Sequence, residues 1–200
     1  VIGAMHAVGE TGRFVHRRTL NLGDMVAEAC DGVLSSPWLD RRQRHAYTRV
    51  TDALRSALVD RGWAPERSIR VHGDCHLGNM LGRDEAFGLV DFDDCLMAPA
   101  VQDIWMLLTG QEEGEWQMQL SEEIEGYEQH RDFDRDELAL IEPLRAFRLI
   151  RHSAWLVARW EDPAFPVAFP WLADAGYWDD HIRQLEQQRR VLDSVTPRRV

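Results

Sequence analysis

Helical periodicity runs through most of this 200-residue sequence, but it breaks off at Ser68 and returns only after Pro99. That interruption constrains the fold more than any other feature, because it inserts short extended runs between long amphipathic segments. Ahead of it, Leu39 to about Arg61 sets Tyr47, Val50, Leu54, Ala57 and Leu58 on one helical face, with Gly62 as the C-terminal stop. Shorter helices are expected over Val1–Gly9 and Asp24–Leu34, the second closed by Ser35-Ser36-Pro37. Within the interruption, Ser68–His72, Met80–Leu81 and Phe87–Val90 read as β runs, and Gly82-Arg83-Asp84-Glu85 is turn chemistry. Beyond Pro99, helices are expected over Val101–Thr109, about Glu115–His130 and Glu137–Trp160. A loop carrying Pro163, Pro166 and Pro170 then leads to a last helix from about Tyr177 to Leu192. The pattern describes an α+β chain, mostly helical, with one small β-hairpin between two polar loops. It shows no internal repeat and no linker.

Composition narrows the function classes. A hydrophobic content of 44% supports a real core in one or two compact units. The formal charge of −11, with no basic cluster interleaved with aromatics, excludes direct nucleic-acid binding and favours cationic small molecules or basic protein segments. Three widely spaced cysteines, Cys30, Cys75 and Cys95, suit a reducing compartment. No apolar run is long enough for a membrane span and no signal-peptide pattern opens the chain, so a cytoplasmic location is expected. Lysine is missing altogether, so all 23 basic residues are arginine.

The chemistry concentrates in His72-Gly-Asp-Cys-His-Leu-Gly-Asn79 and, after the hairpin, Val90-Asp-Phe-Asp-Asp94. An Asp followed five residues later by an Asn, in a loop without helical periodicity, matches the catalytic-loop spacing of protein kinases. There the Asp orients and deprotonates the attacking hydroxyl and the Asn carbonyl oxygen ligates a metal, while a second Asp at a strand end holds magnesium on the nucleotide phosphates. Phosphoryl transfer needs polyphosphate charge neutralised and the hydroxyl set in line, and hard oxygen ligands on loops do both. Asp91 closes the apolar run Phe87–Val90, and the turn returns it beside Asn79.

These motifs resemble the aminoglycoside phosphotransferase/choline kinase family, whose loop reads His-Gly-Asp-x-His-x-Gly-Asn. Asp91-Phe-Asp-Asp94, the segment Pro99–Leu108, Glu142-Pro-Leu-Arg-Ala146 and Trp160-Glu-Asp-Pro-Ala-Phe-Pro166 are similar to one subgroup, the bacterial stress-response serine/threonine protein kinases. The resemblance runs from about Gly3 to Val195. It implies a protein-kinase-like C-lobe whose hairpin carries the catalytic and metal loops, with residues 1–67 a helical N-terminal part, 68–98 the loops and 99–200 a helical acceptor side. It implies Mg2+ and ATP, Asp74 as catalytic base, Asn79 and Asp91 as metal ligands, and Asp103 as a buried support for the loop. His72, His76, Asp93 and Asp94 take supporting places. Without a lysine for the third strand, and with Gly9-Glu-Thr-Gly12 no phosphate cradle, the N-lobe is expected to be absent; the chain then reads as a C-terminal fragment, inactive alone and prone to associate through exposed interlobe surface.

Other readings stay open. The acceptor implied is a protein Ser/Thr hydroxyl, with homoserine, choline or an aminoglycoside as alternatives. Gly88-Leu-Val-Asp91-Phe-Asp93-Asp-Cys95 resembles a haloacid-dehalogenase-type phosphatase nucleophile motif, though without that family's lysine. A non-catalytic kinase-like binding module is a third class. His72-x-Asp74-x-His76 spells a zinc site, but no further His or Cys stands at ligand spacing. Cys75 and Cys95 read as buried thiols before redox switches. A carboxylate at Asp103, on a helix carrying Ile104, Leu107 and Leu108, needs donors, and loop amides are the natural ones. The stretch Phe147–Trp160 reads as core, with Glu142, Arg145, Arg148 and Arg151 as candidates for the acceptor cleft.

Overall fold

The computed structural model describes residues 1–59, 68–84, 86–110 and 112–194. Helix α1 spans Ile2–Gly9, and its last carbonyls are covered by Arg70, which donates to Gly9 O and Val8 O at 3.0 Å each. This is the guanidinium-at-C-terminus arrangement that the helix dipole favours. Helix α2, Leu22–Ser35, starts at Asn21, whose side chain accepts the Asp24 amide at 3.2 Å. Helix α3, Arg41–Val59, begins in a reciprocal cap: Gln43 N donates to Asp40 Oδ1 at 2.7 Å and Asp40 N to Gln43 Oε1 at 3.1 Å. Its expected extension to Arg61 and the stop at Gly62 lie outside the described residues.

Four strands follow: β1 Ile69–Val71, β2 Met80–Arg83, β3 Ala86–Leu89 and β4 Leu96–Ala98. The hairpin pairs Met80 with Leu89 and Arg83 with Ala86. Asp84 takes a positive φ of 55° at its turn, and Glu85 is outside the described residues. The sequence expectation omits β4, which pairs antiparallel with β1, Ile69 opposite Ala98 and Val71 opposite Leu96, and is bridged by Thr19 through Met97. All three β4 residues are buried, so no alternation betrays the strand.

Helix α4, Val101–Ile104, tightens into a 3₁₀ turn over Trp105–Leu107, short of the expected end at Thr109. Helix α5 covers Glu113–Glu128. A 3₁₀ segment, Arg135–Leu140, precedes α6, Ile141–Ala158, so the single helix expected from Glu137 is two elements. The proline-rich loop also folds: α7 spans Ala164–Ala168 behind Pro163, and Pro170 opens a 3₁₀ turn to Ala173. Proline is compatible with a first helical turn, which needs no N–H there. Helix α8, Ala175–Ser194, ends the described chain. Among the described residues no helix is long and apolar enough to cross a membrane.

The chain divides into two compact units, Val1–Leu20 with Ala64–Ile141, and Asn21–Trp63 with Glu142–Val200. In the first, α1 packs on β1 and α5, and Ile69, Val71, Leu96, Val101, Ile104, Ile124 and Tyr127 are buried. In the second, α3 packs on α2 and α8. Tyr47, Val50, Leu54 and Leu58 are buried there, as the periodicity of α3 requires, and Trp178 donates from Nε1 to Leu172 O at 3.0 Å. Along α6, Phe147, Ile150 and Leu156 are buried, but Trp155, and Trp160 just beyond the helix, are only half-buried.

Candidate functional site

Both polar loops belong to the first unit. Where β1 ends, the backbone turns on Gly73 at φ 87°; a Cβ there would fall 2.3 Å from Asp94 O. Only glycine fits both the left-handed φ and the close approach. The turn is clamped from α4. His72 N donates to Asp103 Oδ2 at 2.7 Å, Gly73 N donates to Asp103 Oδ1 at 2.8 Å, and Gln102 Nε2 donates to Gly73 O at 3.0 Å. Asp103 is completely buried, so these charge-assisted bonds offset a desolvation that would otherwise be prohibitive.

His72 ties this turn to the second loop. Its Nε2 lies 2.8 Å from Val90 O, which can only accept, so Nε2 carries the proton; Nδ1 then accepts the Asp74 amide at 3.3 Å. The ring also lies 4.7 Å from that of Phe92. With both nitrogens engaged, His72 has none left for zinc, and His76 Nδ1 accepts the Gly78 amide at 2.9 Å. His76 Nε2 makes a loose 3.5 Å contact with Asp74 Oδ2.

Asp74 is partly exposed at the head of this loop, and Asn79 is buried at its foot. The Asn79 amide donates from Nδ2 to Asp74 O at 2.9 Å, which leaves Oδ1 as its acceptor oxygen. On the backbone, Val90 N donates to Asn79 O at 3.0 Å, continuing the β2–β3 ladder by one step. Asp91 is the next residue, exposed and left-handed at φ 62° and ψ 65°. A non-glycine residue in that region costs on the order of 1 kcal/mol and is held only by its surroundings. Asp93 and Asp94 are exposed; Arg17 Nη1 donates to Asp93 O.

The donor set fits a hard divalent cation. Asn79 Oδ1 and the Asp91 carboxylate offer hard oxygen atoms on adjoining backbone. Among the described residues no group of three or more His, Cys, Asp or Glu side chains is placed to hold a metal ion. One carboxylate and one amide, completed by phosphate oxygens and water, is what Mg2+ takes in nucleotide sites; an all-protein cage is not needed.

The remaining candidates sort by burial. Cys75 is buried and burial pushes its thiol up; Cys95 is half-buried and shifted the same way, so neither is an activated thiolate. Arg145 Nη1 donates to Glu142 Oε1 at 3.0 Å and Gln188 Nε2 to Glu142 Oε2 at 2.8 Å, so this pair is occupied within the second unit. Sequence reasoning missed His6, whose Nε2 lies 2.9 Å from Asp103 Oδ2, and Gln102. Nothing local marks His6: its partner is 97 residues away.

The chain belongs to the phosphotransferase enzyme family, whose model matches residues 1–141. It is 42% identical over 192 residues to stress response kinase A of Escherichia coli strain K12, covering 96% of this chain and 58% of that protein. It is 40% identical over 191 residues to the serine/threonine protein kinase RdoA of Salmonella typhimurium strain LT2, again covering 96% and 58%. The chain thus spans less than two thirds of the relatives it matches. Among solved structures it resembles the amicoumacin kinase hAmiN in complex with AMP-PNP, Ca2+ and Ami, with a TM-score of 0.59 at 20% identity, over 98% of this chain and 57% of that one.

Proposed function

We propose that this chain carries the phosphoryl-transfer centre of an ATP-dependent kinase whose acceptor is a serine or threonine hydroxyl of a protein. The observation that carries the reading is the placement of Asp74 and Asn79 on one clamped loop, with Asp91 one residue past the backbone bond that joins Val90 to Asn79. In this reading the Asp74 carboxylate accepts a hydrogen bond from the acceptor hydroxyl and aims its oxygen at the γ-phosphorus. It takes the proton as the new O–P bond forms and the γ-phosphorus bond to the bridging oxygen breaks, releasing ADP. A positioned base of this kind contributes about 10²–10⁴-fold. Asn79 Oδ1 and Asp91 would hold Mg2+, which would neutralise charge on the nucleotide phosphates. Asp103, through His72 N and Gly73 N, keeps the loop in place before substrate arrives.

Family membership and the kinase names of the relatives support this reading. The protein acceptor draws on the serine/threonine kinase name of one relative. A small-molecule hydroxyl is the second reading, favoured by the structural likeness to an amicoumacin kinase. The dehalogenase-type phosphatase loses its ground, since its motif here is the end of an antiparallel hairpin in a phosphotransferase chain.

The test uses the full-length protein. Asp74→Ala should lower transfer from MgATP by about 10³-fold while MgATP affinity stays within a few-fold. Asp91→Ala should damage both. Wild-type turnover in Asp74→Ala would end the assignment. Assays on serine-rich proteins and on small amino alcohols in parallel separate the two acceptor classes.

A further inference from the structure

A run of hydrogen bonds that the transfer reading does not use leads from the surface to Asp103. At its outer end Arg131 donates from Nε to Glu10 Oε2 at 2.7 Å and from Nη1 to the Tyr127 hydroxyl at 3.0 Å. That hydroxyl lies 3.1 Å from His6 Nδ1, and His6 Nε2 lies 2.9 Å from Asp103 Oδ2. His6 and Asp103 are both fully buried.

Chemistry sets the direction of each bond. An ionised carboxylate only accepts, so Nε2 carries the proton that faces Asp103. A guanidinium only donates, so Arg131 occupies a lone pair of the Tyr127 oxygen and the phenol proton is free to go to Nδ1. Burial, the largest influence on Tyr127, pushes its pKa up to about 12, which keeps that proton in place. One tautomer of His6 satisfies both neighbours, and any other would set donor against donor or acceptor against acceptor. Helix α1 is shaped to deliver the ring. Gly3 and Gly9 flank His6 at three-residue steps on the same face; a Cβ would fall 2.5 Å from Tyr127 O at the first and 2.4 Å from Arg70 O at the second.

Asp103 Oδ2 therefore accepts from both His72 N and His6 Nε2, while Oδ1 accepts from Gly73 N. Removing the imidazole leaves a buried carboxylate one donor short, held only by the two loop amides that it is meant to fix.

We propose that His6 is a positioning residue of the transfer site: held in one tautomer by Tyr127 and Arg131, it fixes the Asp103 carboxylate that clamps the His72–Gly73 turn and so sets where Asp74 stands. The proposal rests on the reading of Asp74 as the base, and the test separates the two. In the full-length protein, His6→Leu and His6→Gln remove the same ring, but the Gln Nε2 still offers a donor to Asp103. Turnover of MgATP with dephosphorylated casein as serine-bearing acceptor should show kcat lowered about 10- to 100-fold in His6→Leu, the range usual for loss of a partner that orients a catalytic group, with the KM for MgATP unchanged. His6→Gln should recover most of that loss at equal thermal stability. Amide hydrogen exchange, which makes no reference to the reaction, should be about tenfold faster at His72 and Gly73 in His6→Leu and near wild type in His6→Gln. Equal kcat in the two variants, or unchanged exchange at both amides, overturns the proposal. Faster exchange in a protein whose wild type transfers phosphate neither to casein nor to small amino alcohols upholds the clamp and sinks the kinase reading instead.

Discussion

The two loops that make up the site are held in opposite ways. The 72–79 loop is wired from beneath: His72 and Asp103 have no exposed surface, and Gln102, Asp103 and His72 together engage the backbone from His72 to Asp74. The 91–94 loop has exposed carboxylates, a left-handed Asp91, and ties through backbone atoms, from His72 Nε2 to Val90 O and from Arg17 to Asp93 O. The difference matches what the proposed function asks of Asp74 and Asp91. A base must stand within hydrogen-bond reach of one hydroxyl, so its place is fixed in advance. Asp91, in the same reading, would meet a cation that arrives with a flexible polyphosphate, and a solvated loop accommodates it, while the other ligand, Asn79, stands on the wired loop.

The largest effect expected on this contrast comes from Asp103→Leu. It leaves His72 N, Gly73 N and His6 Nε2 facing a buried apolar side chain, and should destabilise the protein by about 3–5 kcal/mol in urea unfolding. A loss under about 1 kcal/mol would mean that the loop is not held from α4. Gly73→Ala follows, at about 2–3 kcal/mol, because it must accept both a positive φ and a Cβ 2.3 Å from Asp94 O.

Burial beneath the wired loop also predicts a pH dependence. Glu123 on α5 has a buried Oε2 with no hydrogen-bond partner and raises the Cys75 thiol electrostatically. Burial raises its own pKa from 4.5 to about 7. Below pH 4.5 both folded and unfolded forms hold the proton and nothing is lost. Between 4.5 and about 7 the unfolded chain releases it first, so stability falls as pH rises, and the loss is complete above 7. After allowance for solvent screening the change is about 1–2 kcal/mol. Glu123→Gln should flatten this part of the stability profile, and an unchanged slope would place the titration elsewhere.

The smallest effect has the opposite sign. Asp91→Gly relieves the left-handed backbone and should stabilise the fold by about 0.5–1 kcal/mol while MgATP affinity falls. Destabilisation would show that the Asp91 side chain holds the second loop together in the absence of ligand.

What could be read from the sequence follows the same contrast between local and distant. The His72–Asn79 loop and the hairpin were legible because their chemistry lies in consecutive residues. Asp103 was legible because a carboxylate on an apolar helix must find donors. Strand β4 was hidden, since Leu96, Met97 and Ala98 are all buried and carry no alternation. Helix α7 hid behind prolines that suit a first turn as well as a loop. The left-handed Asp91 has no signature, as Asp is common in turns of every kind. His6 was beyond reach: its neighbours Tyr127 and Asp103 are 121 and 97 residues away, and a lone histidine on a short helix carries no pattern.

The central claim is that Asn79 and Asp91 flank one divalent cation beside the loop that carries Asp74. Paramagnetic broadening by Mn2+–ATP in the full-length protein tests it most directly. The account predicts selective loss of the Asn79 side-chain amide signal and of backbone signals at 78–79 and 90–92, abolished in Asp91→Ala. Broadening centred elsewhere, with these signals intact at saturating Mn2+–ATP, would contradict it.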